Sequence, residues 1–473
     1  MSAIASMGSG AWAQPASDRP PSLVERLRGA IEQASLGDRV GISIVNLRSG
    51  REVLAHRAQL PLNPASNMKL LTAAAALLEL GPSYRMRTGL YGRQEGDAVV
   101  GGLYLRGFGD PTLTGGELVA LGQQLVRRGI RRVDEVLVDG TFFDKQKLPP
   151  AFEQQPDEVS PFRAAVGAMS VNRNAFELRL VPGRAPGEPA GVLLDAPAYF
   201  ELDNQVTTSA TGAPKIIAIQ GDADQKQTLK LRGSIPRGIA GITYRRRVES
   251  PAYYTGHIMV EALKALRVQV PRRVGMGPTP RRTALLAEHR SAPLSQVLAS
   301  LGKNSDNFVA EMVLKLLAAE RAGAPGSSPA GVRVALNALR KLDVPASKIK
   351  MVNGSGLFHG NQVAASHLTT LLVGMYRRPG LRPDFLAQLA VGGVDGTLER
   401  RLKDLPVAGI VRAKTGTLNG VIALSGYVLG PSPERGFAFS FLANGVEGKH
   451  QAARALADRL VMALAKSLYV VRP

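Results

Sequence analysis

"PASNMKLLTAAAALLELGP" (64–82) reads as an apolar helix that closes at Gly81-Pro82. The polar exceptions at its mouth are Ser66, Asn67 and Lys69. A serine there ordinarily caps the helix, its oxygen accepting a backbone N–H. A capping box would set Glu or Gln three residues on, and here that position is Lys69. A cation in the first turn opposes the helix dipole, which disfavours its protonated form. Residues three apart share a helix face. The spacing suits a hydroxyl touching an amine whose proton is loosely held, a way to activate serine without histidine. Taken alone, the stretch favours the plainer reading of a capped helix with a snorkelling lysine.

The rest of the chain narrows the choice. With 473 residues, 45% hydrophobic and 21% charged, it is globular and long enough for two or three domains. It has no cysteine, which excludes disulfides, thiolate catalysis and Cys-ligated metals. Its histidines (His56, His257, His289, His359, His367 and His450) form no tight ligand spacing, so neither a metal nor a cofactor is expected. Lys and Arg number 59 against 38 Asp and Glu, a formal charge of +21. The excess lies in dispersed pairs such as Arg127-Arg128 and Arg400-Arg401. It reads as a solvated surface or as electrostatic attraction to an anionic envelope polymer. No nucleic-acid-binding motif accompanies it, and no run of eighteen apolar residues marks a membrane span. The first 21 residues, with Ala11-Trp12-Ala13, resemble the end of a secretory signal clipped at its start, or a small-residue tail.

The pattern after that tail is a helix over 22–35, then a hairpin "RVGISIVNLRSGREVLAHR" turning at Arg48-Ser49-Gly50, then the Ser66 helix. From about Arg85 short strands divided by Gly/Pro turns dominate, with helices near 115–128 and 252–266. Helical texture returns near Pro293. "GVIALSGYVLG", "GFAFSFLANG" and a long helix from His450 end the chain. The last two strands are placed to complete a sheet begun by the first hairpin. The expected organisation is a core domain split over 22–84 and 285–473, with an inserted region over 85–284, itself two smaller domains.

Ser-x-x-Lys occurs three times, at Ser66/Lys69, Ser300/Lys303 and Ser347/Lys350, but only the first opens a long, nearly uncharged helix. Ser305-Asp306-Asn307 stands just before a helix, and Lys414-Thr415-Gly416-Thr417 at the start or edge of a strand. Each alone is an ordinary cap or turn. In the order S-x-x-K, S-x-N, K-T-G they form the signature of penicillin-binding proteins and class A β-lactamases.

With these motifs the sequence resembles the D-alanyl-D-alanine carboxypeptidase/endopeptidase family of low-molecular-mass penicillin-binding proteins, the peptidase S13 or DacB type. "GFGDPTL" (107–113), "VDGTFFD" (138–144), "MSVNRNAF" (169–176), "NGSGL" (353–357) and "VGGVDGTLERR" (391–401) extend the likeness over nearly the whole chain. The 239 residues from Ser66 to Ser305 match the family's large insertion and exceed the β-lactamase spacing. The resemblance implies an α+β fold: a serine β-lactamase/DD-transpeptidase-like core, an antiparallel sheet flanked by helices, with a large, mainly β inserted region. It implies Ser66 as the acylated nucleophile, Lys69 as its base, and Ser305 as the carrier of the proton to the leaving amine. Asn307 would hold the substrate amide and orient Lys69. Lys414 would supply positive potential, Thr415 and Thr417 would grip the terminal carboxylate, and Gly416 would admit the substrate backbone. The N–H groups of Ser66 and Thr417 would form the oxyanion hole. Implied partners are peptidoglycan stem peptides and, as covalent inhibitors, β-lactams; the implied location is the periplasm. A catalytically weak penicillin-binding scaffold is the alternative. The family's D-G-S-G-L-S-R-x-N reads "NGSGLFHGN" here, with Asn353, Phe358 and His359 replacing Asp, Ser and Arg.

Overall fold

The computed structural model of the protein describes residues 21–223 and 225–469. The tail expected over 1–21 lies outside them apart from Pro21.

The first hairpin and the last strands build one sheet. Its order is Ala390–Val391, Val411–Leu418, Val421–Leu429, Gly436–Asn444, Val40–Asn46, Glu52–His56. Every neighbouring pair is antiparallel, and Val40 to Asn46 lie opposite Ala443 to Phe437. The two central C-terminal strands are apolar at almost every position, so both their faces need cover. Alternate residues serve two cores. Ile422, Leu424, Phe439 and Phe441 pack with the Leu23–Ala34 and His450–Tyr469 helices. Ala423, Tyr427, Ala438 and Leu442 pack with the opposite helical layer.

The Met68–Leu80 helix is the axis of that layer, buried at every residue from Met68 to Leu77. The Leu294–Lys303, Asn307–Arg321 and Ser328–Leu339 helices surround it. Burying Leu70, Leu71 and Leu77 contributes on the order of 2 kcal/mol each. That secures a helix whose first turn carries an unfavourably placed cation. Gly81 ends it at φ 82, which glycine adopts without steric penalty.

Between these halves the chain builds a mixed sheet in the order Val274–Met276, Val136–Asp139, Ala98–Gly107, Arg87–Glu95, Ala284–Arg290. The Gly115–Arg127 and Pro251–Ala265 helices cover its apolar face. Two three-stranded sheets complete the region, one of Ile242–Arg247, Ala175–Val181 and Gly191–Leu193, the other of Lys215–Ala223, Lys226–Pro236 and Phe200–Ser209. The protein is thus α+β, an antiparallel sheet flanked by helices with a mainly β region between its halves. One expected boundary shifts. Ala284–Arg290 pairs with Arg87–Glu95, so the sheet runs past the division expected between 284 and 285. Pairing with a distant strand, not local composition, determines where it ends.

Candidate active site

Ser66 does not cap its helix. It lies half-buried in a 3-10 turn, Ala65–Asn67, and the cap position falls to Asn67, which makes no capping bond. The turn is strained: Ala65 has φ 45, a conformation that costs a non-glycine residue about 1–2 kcal/mol. Neighbours hold it there. Asn63 Oδ1 accepts from the Ala65 N–H at 2.9 Å, and Asn63 is clasped by Asn444 through two bonds of 2.8 and 3.0 Å. Asn67 Nδ2 donates to Ser425 Oγ at 3.0 Å, and Ser425 is bonded to Ser440 at 2.9 Å. Gly356 and Gly416 close the turn from two sides. A Cβ would lie 1.9 Å from the Ala65 oxygen at Gly356 and 2.9 Å from the Pro64 oxygen at Gly416. On this face the space that a side chain at position 416 would need is taken by the chain's own 64–65 segment, because the Val411–Leu418 strand packs directly on the turn.

Lys69 is fully buried. Its Nζ bonds to Ser66 Oγ at 3.0 Å, Asn307 Oδ1 at 2.7 Å and the Ser355 carbonyl at 2.7 Å. The amide oxygen and the carbonyl can only accept. They fix two N–H bonds of a neutral amine and leave its lone pair facing the Ser66 hydroxyl. Asn307 Nδ2 donates to the Phe162 carbonyl at 3.1 Å, which settles which end of the amide meets Lys69. Burial pulls the Lys69 ammonium from the usual 10.5 down to about 7, against the opposing charges of Glu311 and Asp306.

Asp306 caps the Asn307–Arg321 helix, accepting from the Val309 N–H at 3.1 Å. Ser305 precedes it half-buried in the left-handed conformation, φ 59. Among the described residues no hydrogen bond joins Ser305 directly to Ser66 or Lys69. One turn after Asn307 comes Glu311, fully buried. Its two carboxylate oxygens accept from the N–H groups of Ser355 at 2.7 Å and Gly354 at 3.1 Å. Burial pushes its carboxyl above the usual range, while those donors and Lys69 pull it back. Glu311 thereby presents the Ser355 carbonyl to Lys69. Sequence reasoning missed both residues. The available signal was a lone glutamate in the apolar run "NFVAEMVLKLL".

Lys414 reaches the site through the sheet. Ser43, Ser440, Ser425 and Lys414 occupy one cross-strand row, so Lys414 lies on the face that packs on the Ser66 turn. It is fully buried, with Nζ donating to the Thr415 carbonyl at 2.8 Å. Burial, and then the charge of Lys69, hold its ammonium well below the usual lysine range. Lys414 has no carboxylate within ion-pair reach among the described residues, so its charged form is disfavoured. For both lysines burial is the first cause of the lowered value, and repulsion between the two ammonium groups is mutual. Thr415 Oγ1 bonds to Thr397 Oγ1 at 2.8 Å, and Thr417 is exposed. Beyond Ala413 this strand has no partner on its outer side among the described residues, since Ala390–Val391 reaches only Ala413 and Arg412. Among the described residues no His, Cys, Asp or Glu cluster is built to hold a metal.

The altered "NGSGLFHGN" loop has its own logic. Asn353 Nδ2 donates to the Pro150 and Leu357 carbonyls at 3.0 and 3.1 Å, and its Oδ1 accepts from Gly356 N at 2.9 Å. Aspartate has no such donors. Phe358 packs edge-on against Phe152, and the His359 backbone is bonded both ways to Gln154. Asn353→Asp should therefore lower stability by about 2 kcal/mol, because a buried carboxylate would face two carbonyls. Thermal melts at pH 8 check this; an unchanged midpoint would mean the two donor bonds carry no weight.

Against known proteins, a model of the D-Ala-D-Ala carboxypeptidase 3 (S13) family matches residues 23–467. A D-alanyl-D-alanine carboxypeptidase of Actinomadura sp. (strain R39) is 36% identical over 96% of this chain and 87% of its own. The D-alanyl-D-alanine carboxypeptidase DacB of Haemophilus influenzae is 26% identical over 86% of each chain. The crystal structure of penicillin binding protein 4 (dacB) from Haemophilus influenzae shares the fold, with a TM-score of 0.77 at 24% identity over 94% of this chain and 99% of that one.

Proposed function

The chain belongs to the D-Ala-D-Ala carboxypeptidase 3 (S13) family, and from that premise we propose a mechanism in which Ser66 is acylated by the stem peptide of peptidoglycan. The protein is a D-Ala-D-Ala carboxypeptidase. The observation that carries the mechanism is the Lys69 amine held between Asn307, Ser355 and the Ser66 hydroxyl.

Neutral Lys69 takes the Ser66 proton as Oγ attacks the carbonyl of the penultimate D-alanine. The oxyanion is received by the N–H groups of Ser66 and Thr417, each worth roughly 3–4 kcal/mol at the transition state. Ser305 passes a proton to the departing amine, and the terminal D-alanine leaves. Lys414, Thr415 and Thr417 hold its carboxylate, which also supplies the charge that the buried Lys414 ammonium lacks. Asn307 holds the substrate amide. Water then hydrolyses the Ser66 ester. An endopeptidase action follows if the departing amine belongs to a neighbouring stem. A β-lactam enters by the same route and stays as the ester; the Haemophilus influenzae relative has been solved with a β-lactam. The polar groups of the mechanism are all present, which disfavours a catalytically weak scaffold.

We further propose that residues 22–84 and 291–473 form the catalytic core, with 85–290 inserted, on the ground that one sheet unites both ends of the chain and Ala284–Arg290 pairs within the inserted region. Periplasmic residence belongs to this reading because the substrate lies there, and the charge of +21 suits loose association with an anionic envelope. None of the described helices is long and apolar enough to cross a membrane. A fluorescent penicillin tests the nucleophile. Wild-type protein should carry the label on the peptide containing Ser66 and release D-alanine from a pentapeptide, and Ser66→Ala should do neither. Labelling that survives the substitution would assign the nucleophile elsewhere.

A further inference from the structure

Three consecutive residues of the 85–290 region, Asn172, Arg173 and Asn174, are left-handed, with φ of 52, 58 and 50. Non-glycine residues rarely hold that conformation in succession, and such strain persists only where surroundings enforce it. Here Asn172 N–H donates to the Leu113 carbonyl at 2.9 Å, and Asn174 Nδ2 donates to Ala165 O at 2.8 Å and Ser170 Oγ at 2.9 Å. The product of this turn is the aim of Arg173. Its Nη1 meets Asp306 Oδ2 at 3.0 Å and its Nη2 donates to Ser300 Oγ at 3.1 Å. Ser300 Oγ in turn donates to Asp306 Oδ2 at 3.3 Å. The Asp306 side chain is 12% exposed, so a charge there acts with little screening by water.

We propose that Arg173 is a positioning residue of the active site: its two-point contact with Asp306 and Ser300 holds the Ser305–Asn307 turn in place and offsets the negative charge that Asp306 brings toward Lys69. This rests on the reading of Lys69 as the base. The charged groups that bear on Lys69 are Asp306 and Glu311 from the Asn307–Arg321 helix and Lys414 from the neighbouring strand. The 64–67 and 353–357 segments contain no ionisable side chain. Asp306 favours the protonated amine. Arg173 opposes it, and so keeps the neutral form available near neutral pH.

Removing the guanidinium should raise the pH at which Lys69 becomes a base. In the purified full chain, Arg173→Met should shift the rising limb of penicillin acylation upward by about half to one pH unit. Below the limb that is roughly a three- to tenfold loss of rate, and above it the rates should converge. Arg173→Lys should restore much of the limb, since it returns the charge. Arg173→Met with Asp306→Asn should bring the limb back to or below its wild-type position, because asparagine still caps the helix while removing the unopposed charge. A rate lowered equally at every pH, or a limb that stays shifted in the double variant, would make Arg173 merely structural and overturn the proposal. Wild-type protein without a titrating limb or without label at Ser66 would instead overturn the reading of Lys69 on which it rests.

Discussion

Lys69→Arg should abolish acylation of Ser66. An arginine keeps its proton at any accessible pH, so it offers Ser66 no lone pair. It also brings a broader head into a cage built for a compact amine, whose three contacts run from 2.7 to 3.0 Å. A positioned base contributes roughly 10²–10⁴-fold, and the loss should sit near the upper end because, among the described residues, Lys69 is the titratable side chain hydrogen-bonded to Ser66 Oγ. Among the described residues no histidine lies in hydrogen-bond contact with Ser66. The measurement is the rate of labelling by a fluorescent penicillin against pH. Wild-type protein should gain rate as pH rises through about 7, where buried Lys69 gives up its proton. The variant should stay low and flat. Labelling of Lys69→Arg within tenfold of wild type would show that Lys69 is not the base.

How much of this was open to reading from the chain alone depends on range. The pairing of Ser66 with Lys69 is a matter of three residues on one helix, and the helix rule supplies it. What turns the lysine into a base is not local. Asn307 and Ser355 come from 238 and 286 residues away, and Glu311 holds Ser355 across 44. A glutamate in an apolar helix signals that something must compensate it, but not that the compensation is a pair of backbone N–H groups in a distant loop. The sheet uniting Val40–Asn46 with Gly436–Asn444 was legible because both ends carry strand-like apolar runs. The end of the inserted sheet at Arg290 was not, since it follows from pairing with Arg87–Glu95. Gly416 illustrates a different gap. A motif suggests that a glycine is needed but not what occupies the space beside it, and here the occupant is the nucleophile's own turn. Lys414 illustrates a third. Its position in the motif implied positive potential, whereas full burial and the neighbouring Lys69 disfavour the charged form.

The same burial that makes Lys69 a base should destabilise the fold, and by an amount that depends on pH. An unfolded chain holds the lysine proton up to about 10.5, whereas the folded protein releases it near 7. Between those values the unfolded state binds more protons, so stability must rise with pH across that window. Below 7 the folded protein carries the whole penalty of a buried ammonium, on the order of 5 kcal/mol for a shift of that size. By pH 9.5 most of it is gone. Lys69→Met removes the ionisable group and keeps an unbranched side chain of similar length. The Asn307 and Ser355 oxygens and the Ser66 hydroxyl that it leaves without their partner impose a cost of their own, but that cost does not change with pH. Groups remote from Lys69 contribute alike to both proteins and drop out of the difference, while Glu311 and Lys414, for which Lys69 is a lesser influence than burial, add a smaller change. Denaturant unfolding of wild type and Lys69→Met at pH 6 and pH 9.5 should therefore show the wild type gaining on the variant by about 3 kcal/mol as pH rises. A difference that stays constant between the two pH values would mean that Lys69 titrates alike in the folded and unfolded chains. Its amine would then be charged at neutral pH, unable to take the Ser66 proton, however close the two atoms lie.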